Sequence, residues 1–146
     1  MARILIKKLS EDAVLPTAGS QYAAGSDLYA LIPEGELTIP PHRSVMVHTG
    51  LSFALPEGTF GAVFARSGIA SREGLRPANC VGVIDSDYRG ECMVSLHNDS
   101  DCERRIQNGE RIAQLVLLPY LPAEYEETEN LPDTARGAGG FGSTGK

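Results

Sequence analysis

One short polar segment between two apolar runs carries the residues with the clearest chemical potential. It lies in "VGVIDSDYRGECMVSLHN", residues 81–98, and includes Asp85, Tyr88 and Arg89. From the pattern alone, the simplest interpretation is a hairpin whose turn uses residues that favour turns. A calcium-binding EF-hand is excluded, because Arg89 takes the fifth ligand position and Leu96 the twelfth. An aspartate that ends a buried strand can instead orient a water and deprotonate it, so Asp85 is the candidate general base.

A second candidate group would suit phosphate. In "FARSGIA", Arg66 offers a forked donor, Ser67 a hydroxyl, and the start of a short helix free N–H groups. The alternative is a helix capped by Ser67 beside a surface arginine. Asp27 in "AAGSDLYA" could simply end a loop before a strand. Gln114 interrupts the apolar run "ERIAQLVLLP", and a buried glutamine needs hydrogen-bond partners.

The C-terminal "RGAGGFGSTGK", residues 136–146, contains a third pattern. From Gly140 it runs G-x-x-x-x-G-K, as in a phosphate-binding Walker loop, but the sequence ends at Lys146, before the Ser or Thr and the helix of that motif. Taken alone, such a glycine-rich end is more typical of a flexible tail.

The elements that must position these residues are predicted to be strands. The 16 glycines and nine prolines divide the chain into short apolar runs. The strand-length runs are "RILIKKL", "DLYAL", "ELTIP", "SVMVHTG", "LSFALP", "GAVFA", "CVGVI", "ECMVSLHN" and "RIAQLVLLPYL". The Asn-Gly pair in "QNGE", residues 107–110, favours a tight hairpin, and only "SGIASREG", residues 67–74, indicates a helix.

This pattern predicts an all-β fold of the jelly-roll kind, an antiparallel β-barrel with one short helix, over residues 1–122. After Pro122 the composition becomes acidic and then glycine-rich. Such a segment cannot bury enough apolar area to stay folded by itself, so residues 123–146 are predicted to be a mobile C-terminal arm.

Composition argues against several classes of protein. The chain has 146 residues and a formal net charge of −6, from 13 basic and 19 acidic residues, which disfavours binding to nucleic acid. No apolar run has the length of a signal-peptide core or a membrane span, so we expect a protein that is not bound to a membrane. Cys80, Cys92 and Cys102 lack the spacing of zinc or redox sites and fit reduced thiols in the cytoplasm.

Five segments, taken together and in order, resemble the five motifs of the homotrimeric dUTPase family. They are "AGSDLYA", "ARSGIA", "GVIDSDYRG", "GERIAQL" and "RGAGGFGSTG", which span residues 24–145. The family hydrolyses dUTP to dUMP and pyrophosphate and has a jelly-roll-like β-clip fold. The chain departs from it at Ala65, where many members have proline, and at Ser26, where an aromatic residue is frequent. Neither position supplies the chemistry.

The resemblance implies a role for each matching residue. Asp85 would deprotonate the water that attacks the α-phosphorus in line and would contact the 3′-hydroxyl, and Gln114 would help to hold the α-phosphate. Mg²⁺ would arrive bound to the triphosphate, with Asp27 acting indirectly through water. The implied substrate-binding residues are Arg66, Ser67, Gly68, Asn79, Val83, Ile84, Asp85, Tyr88, Met93, Gln114, Arg136, Phe141, Gly142 and Ser143.

Selectivity is implied by the same family pattern. Tyr88 would pack beneath the deoxyribose and leave no space for a 2′-hydroxyl. Asn79, with the strand at Val83 and Ile84, would pair with the uracil edge, and Met93 would lie on the facing strand. Cytosine would leave polar groups unpaired there, and the methyl group of thymine would clash.

The glycine-rich end is implied to be a lid. Phe141 would stack on the uracil, Arg136 would reach the γ-phosphate, and glycine N–H groups with Ser143 and Thr144 would wrap the triphosphate. The family also implies that each site lies between subunits of a homotrimer, with the arm supplied by a third subunit.

Two alternatives stay open from the sequence. A dCTP deaminase shares the fold, but that family carries a glutamate on the strand after the hairpin, where this chain has Ser95, and lacks the Asp-Tyr-Arg-Gly turn. The other is a catalytically silent nucleotide-binding module. Asp85, Tyr88, Arg136 and Phe141 argue against the silent module, because a binding module would not need them all.

Overall fold

The strands form short antiparallel sheets with a common apolar core. A computed structural model describes residues 2–140, in which there are twelve strands and one helix. The elements are β1 (Leu5–Lys8), β2 (Thr17–Ala18), β3 (Gly25–Tyr29), β4 (Glu36–Ile39), β5 (Ser44–His48), β6 (Leu51–Ala54), β7 (Thr59–Phe64), α1 (Ser67–Glu73), β8 (Leu75–Pro77), β9 (Gly82–Ile84), β10 (Met93–Asn98), β11 (Arg104–Gln107) and β12 (Arg111–Pro119).

The strands pair in four groups over the described residues. The largest sheet has the order β2-β3-β12-β7-β9, and the others are β5-β10-β8, β11-β4 and β1-β6. Apolar residues that alternate along these strands meet in one core, whose fully buried members include Leu28, Ile39, Leu51, Leu96 and Ile112. The predicted all-β, jelly-roll-like fold with one short helix is confirmed. The sheets, however, are not closed into a barrel.

The sequence predicted the strands better than their partners. Each of the nine predicted runs contains a strand, but β2, β8 and β11 were not predicted. The predicted hairpin around residues 81–98 is wrong, because β9 pairs with β7 whereas β10 pairs with β5 and β8. The Asn108-Gly109 turn is present, with Gly109 at φ 76°, yet the two strands that it joins belong to different sheets and do not form a hairpin.

The helix begins one residue earlier than a Ser67 cap requires. Arg66 is the N-cap and makes no side-chain capping bond, and Ser67 is the first helical residue, so the capping role predicted for Ser67 is wrong. The helix ends at Gly74, whose φ of 71° favours glycine. Neither the Arg66 nor the Ser67 side chain therefore caps the helix.

Beyond β12 the described chain has no helix or strand. Over residues 121–140 it exposes apolar side chains, with Leu121 at 92%, Tyr125 at 95% and Leu131 at 82%. The division at residue 122 and the mobility of the arm stay predictions. No helix among the described residues has the length and apolar character needed to cross a membrane.

Candidate active site

An exposed acid stands at the mouth of a small cleft. Asp85 directly follows β9 and, with Tyr88, lines a cavity of about 240 Å³. The walls come from Val83 and Ile84 on β9 and from Met93 on β10. Successive residues of a strand face opposite sides of the sheet. Val83 and Met93 therefore point outward into the cleft, with exposures of 63% and 41%, while their neighbours on each strand are more buried.

A second cavity, of about 200 Å³, continues the cleft. It shares Val83, Ile84 and Met93 with the first and adds Asn79. The structure thus brings together six of the predicted residues, which we call the loop group: Asn79, Val83, Ile84, Asp85, Tyr88 and Met93. Sequence reasoning missed Met46, which lines both cavities from β5 and is 49% exposed. An outward methionine on a strand was the only signal for it.

Residues 85–90, here called the 85–90 loop, are folded tightly on themselves. The Tyr88 N–H donates to Asp85 O at 3.2 Å, and the Arg89 guanidinium donates to Ser86 O at 2.7 Å. The Tyr88 phenol lies against Gly90, where a Cβ would overlap it, and donates to Glu91 O at 3.1 Å. The position of the Tyr88 ring is therefore set by the backbone of residues 90 and 91.

Glu91 is the ionised acid at the base of this loop. Partial burial by itself raises the pKa of the Glu91 carboxyl, but hydrogen bonds from His48 and from the Gly50 N–H outweigh it and leave the pKa below its ordinary value. The carboxylate accepts from Gly50 N at 2.8 Å and lies 2.9 Å from His48 Nδ1. Glu91 therefore keeps its charge at neutral pH.

A second set of predicted residues, which we call the arginine group, consists of Asp27 with Arg66 and Gln114 beside it, and of Ser67 and Gly68, which follow Arg66 along the chain. Arg66 Nε donates to Asp27 Oδ1 at 2.8 Å. Gln114 lies opposite Asp27 in the β12–β3 pair, and its side-chain amide donates to Ala65 O at 2.9 Å, which supplies the partner that a buried glutamine needs. Gly25 allows this packing, because a Cβ there would lie 2.7 Å from Gln114 Oε1.

Arg111 also belongs to the arginine group, and the sequence did not reveal it. Its Nη1 donates to Asp27 Oδ2 at 3.2 Å. A residue three positions from Gln114 on a regular strand would face the other side of the sheet. The register shifts between Arg111 and Ala113, however, so that Arg111 lies opposite Tyr29 and shares the face of Asp27.

The arginine group suits an anion. Two guanidiniums share one carboxylate, and a third, on Arg72, lies close to Gly68. Forked guanidiniums bind phosphate oxygens in two places at once. The described residues contain no cluster of three histidines, cysteines or acids that could hold a metal by themselves. A hard cation such as Mg²⁺ would need further oxygen ligands, such as those of a bound triphosphate.

The loop group and the arginine group lie at different ends of the same sheet. On β7, Phe64 pairs with Gln114 of β12, and Gly61 pairs with Ile84 of β9, so Asp85 falls level with Phe60. Four residues along a strand span about 13 Å, and two strand spacings add about 10 Å sideways. The backbones of Asp85 and Gln114 are therefore about 16 Å apart in one chain, by the same strand dimensions.

Arg136, a predicted lid residue within the described part of the chain, makes no hydrogen bond to either group. Arg136 is exposed and donates from Nε to Gly139 O at 2.8 Å, within its own segment. Phe141, Gly142, Ser143 and Thr144 lie outside the described residues. A larger cavity, of about 520 Å³, shares Met46 and Glu91 with the cavity that Asp85 lines but contains none of the predicted site residues.

The fold and the two groups define a class: an all-β protein with an exposed acid in one cleft and a set of guanidiniums suited to phosphate. A family model described as dUTPase matches residues 11–145. The chain is 46% identical over 143 residues to the deoxyuridine 5'-triphosphate nucleotidohydrolase of Hydrogenobaculum sp., covering 98% of each chain. It is 46% identical to that of Oryza sativa subsp. japonica, covering 96% of this chain and 79% of the relative.

Structural comparison agrees. The dUTPase of Staphylococcus bacteriophage 80alpha, solved with dUpNHpp, superposes with a TM-score of 0.88 at 27% identity, over 99% of each chain. The chain belongs to the dUTPase family.

Proposed function

We propose that this protein hydrolyses dUTP to dUMP and pyrophosphate, which lowers the dUTP level and supplies dUMP for thymidylate synthesis. The observation that carries the proposal is the cleft where Asp85 and Tyr88 stand beside the apolar strand residues Val83 and Met93. An acid, an aromatic ring and two apolar walls suit a nucleoside. The family match and the relatives named as deoxyuridine 5'-triphosphate nucleotidohydrolases support the same reaction.

Asp85 is the general base of the proposed reaction. Its carboxylate is exposed at the end of β9 and makes no ion pair within the described residues. It is therefore free to accept a proton from a water, which then attacks the α-phosphorus in line while pyrophosphate leaves. Gln114 holds the α-phosphate, because its amide is fixed by Ala65 O and cannot rotate freely.

The arginine group takes the phosphate chain. Arg66, Ser67 and Gly68 bind phosphate oxygens, and Asp27 fixes the Arg66 guanidinium through the bond at 2.8 Å. Mg²⁺ held by the triphosphate would neutralise the charge that develops at the phosphorus. Asp27 would contact such an ion through water, because each of its oxygens already accepts a bond from a guanidinium.

The loop group selects base and sugar. Tyr88 packs beneath the deoxyribose and excludes a 2′-hydroxyl, since its phenol is fixed to the 90–91 backbone. Asn79 and the β9 backbone read the uracil edge between Val83 and Met93. Phe141 then stacks on the uracil, and Arg136 with Gly142 and Ser143 closes over the phosphates as a lid.

The site is completed by other copies of the chain, in a homotrimer. Asp85 acts on a water at the α-phosphorus that Gln114 holds, so their side chains must lie within several ångström of each other. Within one chain their backbones are about 16 Å apart by strand register, which is too far for two short side chains to meet. The loop group of one copy therefore works with the arginine group of another, as cyclic assemblies allow.

The compartment proposed for this reaction is the cytoplasm. All three cysteines are free, and an oxidising compartment would favour disulfides. Two of them, Cys80 and Cys102, are exposed and would be open to oxidation there.

The test is to incubate the purified protein with Mg²⁺ and, separately, dUTP, dCTP, dTTP or UTP, and to measure pyrophosphate and ammonia. The proposal expects pyrophosphate from dUTP and at most traces from the other three. Ammonia from dCTP would point to a deaminase, and binding of dUTP without turnover would point to a silent module. Either result would overturn the proposed reaction.

A further inference from the structure

The 85–90 loop lacks the support that a hairpin would give it. It joins β9 to β10, and these two strands belong to different sheets. Its own hydrogen bonds shape it, but its position relative to the sheets must come from contacts outside the loop. The structure provides them from one place, the turn between β5 and β6, residues 48–52.

One backbone hydrogen bond and two from side-chain hydroxyls hold the far end of the loop to this turn. Cys92 N donates to Leu51 O at 2.7 Å, and the buried Thr49 hydroxyl donates to Cys92 O at 2.6 Å. The Ser52 hydroxyl donates to Arg89 O at 2.7 Å. These bonds fix where β10 begins and where the loop ends.

Glu91 adds a charged contact at the same point. Its side chain is only 21% exposed, and each carboxylate oxygen has a partner, Gly50 N at 2.8 Å and His48 Nδ1 at 2.9 Å. Its backbone oxygen accepts the Tyr88 phenol at 3.1 Å. One residue therefore connects the ring of Tyr88 to the β5–β6 turn, and it also lines the cleft that contains Asp85.

We propose that Glu91 is a positioning residue. It sets the position of the Tyr88 ring beneath the sugar and thereby the exclusion of ribonucleotides. The inference rests on the proposed dUTP hydrolysis and on Tyr88 as the residue that contacts the sugar. Glu91 acts through Tyr88. Without its carboxylate, the Gly50 N–H is left without a partner. The bonds from the turn to Arg89 O and to Cys92 remain, but residue 91 between them loses its own contact with the turn and can shift. The Tyr88 phenol, which donates to Glu91 O, follows that shift, and the space for a 2′-hydroxyl opens.

The test compares kcat/KM for dUTP with kcat/KM for UTP in Glu91→Ala, Glu91→Gln and the wild type. Glu91→Ala is expected to lower the dUTP-to-UTP ratio at least about tenfold, a change of about 1.4 kcal/mol in discrimination. Glu91→Gln still offers an amide oxygen to Gly50 N. It is expected to hold the ratio within about threefold of the wild type, a difference of less than 1 kcal/mol.

Asn108→Ala is the matched control. Asn108 Oδ1 also accepts a bond from a distant backbone N–H, that of Ile32, at 2.8 Å, but it lies in another turn. This variant should lower the melting temperature and leave the substrate ratio unchanged. A fall in the ratio for Asn108→Ala as large as for Glu91→Ala would show a general loss of stability and would overturn the proposal.

Other outcomes are equally decisive. If Glu91→Ala folds and keeps the wild-type ratio, Glu91 does not position Tyr88. If Glu91→Ala does not fold, Glu91→Asp takes its place, since the shorter acid cannot reach both partners and should lower the ratio by an intermediate amount; an unchanged ratio would again refute the proposal. A wild-type protein without dUTP turnover would instead refute the proposed function, which separates the two failures.

Discussion

Mixing two inactive variants tests whether each site draws on two chains. Asp85→Asn keeps the shape of the loop group but removes the base, and a general base contributes about 10²- to 10⁴-fold in rate. Arg66→Ala removes a phosphate ligand from the arginine group. Asp27 keeps Arg111 as a partner at 3.2 Å, so we expect this variant to fold. Each variant alone should have little activity.

The activity expected in the mixture follows from the number of sites that receive two intact halves. If a site takes its loop group from one copy and its arginine group from another, random mixing in equal amounts leaves both halves intact in one site out of four, that is, about 25% of wild-type activity. The yield should vary as the product of the two fractions and be largest at equal amounts. A site formed within one chain would regain nothing.

The assay is pyrophosphate release after the variants are unfolded and refolded together, with two different affinity tags to verify mixed oligomers. Arg66→Ala mixed with Gln114→Ala is the control. Both residues belong to the arginine group, so no site in that mixture can be intact. If mixed oligomers of the first pair form and stay at the level of the parent variants, the inference that two copies share a site is refuted.

Three further predictions follow from single contacts. Gly25→Ala should push the Gln114 amide away, lower kcat/KM for dUTP about tenfold and reduce the unfolding free energy by about 1–3 kcal/mol. The control is Gly19→Ala, whose added Cβ meets no atom within 4 Å and should change neither the kinetics nor the melting temperature. A thiol reagent should label two cysteines in the folded protein and not Cys92, because burial, with the nearby charge of Glu91, raises the pKa of that thiol to about 12; fast labelling of a third thiol would contradict this. Folding lowers the pKa of Glu91 from its ordinary value of 4.5. The ionised carboxylate therefore stabilises the folded protein at pH values above 4.5, and this contribution is lost as the pH falls through the lowered pKa. The difference in unfolding free energy between wild type and Glu91→Gln should therefore shrink as the pH falls below 4.5, and a constant difference would argue against it.

Short-range pattern predicted where strands form, and it failed where the partner of a strand decides the structure. The apolar runs before and after the 85–90 loop suggested one hairpin, but their alternating residues are buried by different neighbours, so the two strands separate. β8 was missed because it is three residues long and includes Pro77, which disfavours strands. β11 was missed because three of its four residues are polar or charged.

The family could be predicted from the sequence further than the strand pairing, for a related reason. Asp85, Arg66 and Gln114 are distinctive in type, and their order along the chain was enough to indicate a family. Arg111 was not predicted, because only a local irregularity of β12 turns it toward Asp27, and such irregularities leave little trace in a sequence. The role of Glu91 was likewise hidden, since it depends on Gly50, 41 residues away along the chain.

In the proposed reaction, the separation of the two groups also keeps the general base, Asp85, from pairing with the arginines. Asp27 shows what happens to a carboxylate beside these arginines: both of its oxygens are occupied by guanidiniums, at 2.8 and 3.2 Å. Such pairing leaves fewer of the carboxylate lone pairs free for another partner. Asp85, held at the other end of the sheet, stays unpaired within the described chain. In the proposed trimer, Asp85 would meet the arginine group of another copy only across a site that a triphosphate can fill, so the phosphates, and not Asp85, would neutralise the guanidiniums. An Asp85 placed beside Arg66 in the same chain would be paired as Asp27 is, and the guanidinium would compete with the attacking water for its oxygens.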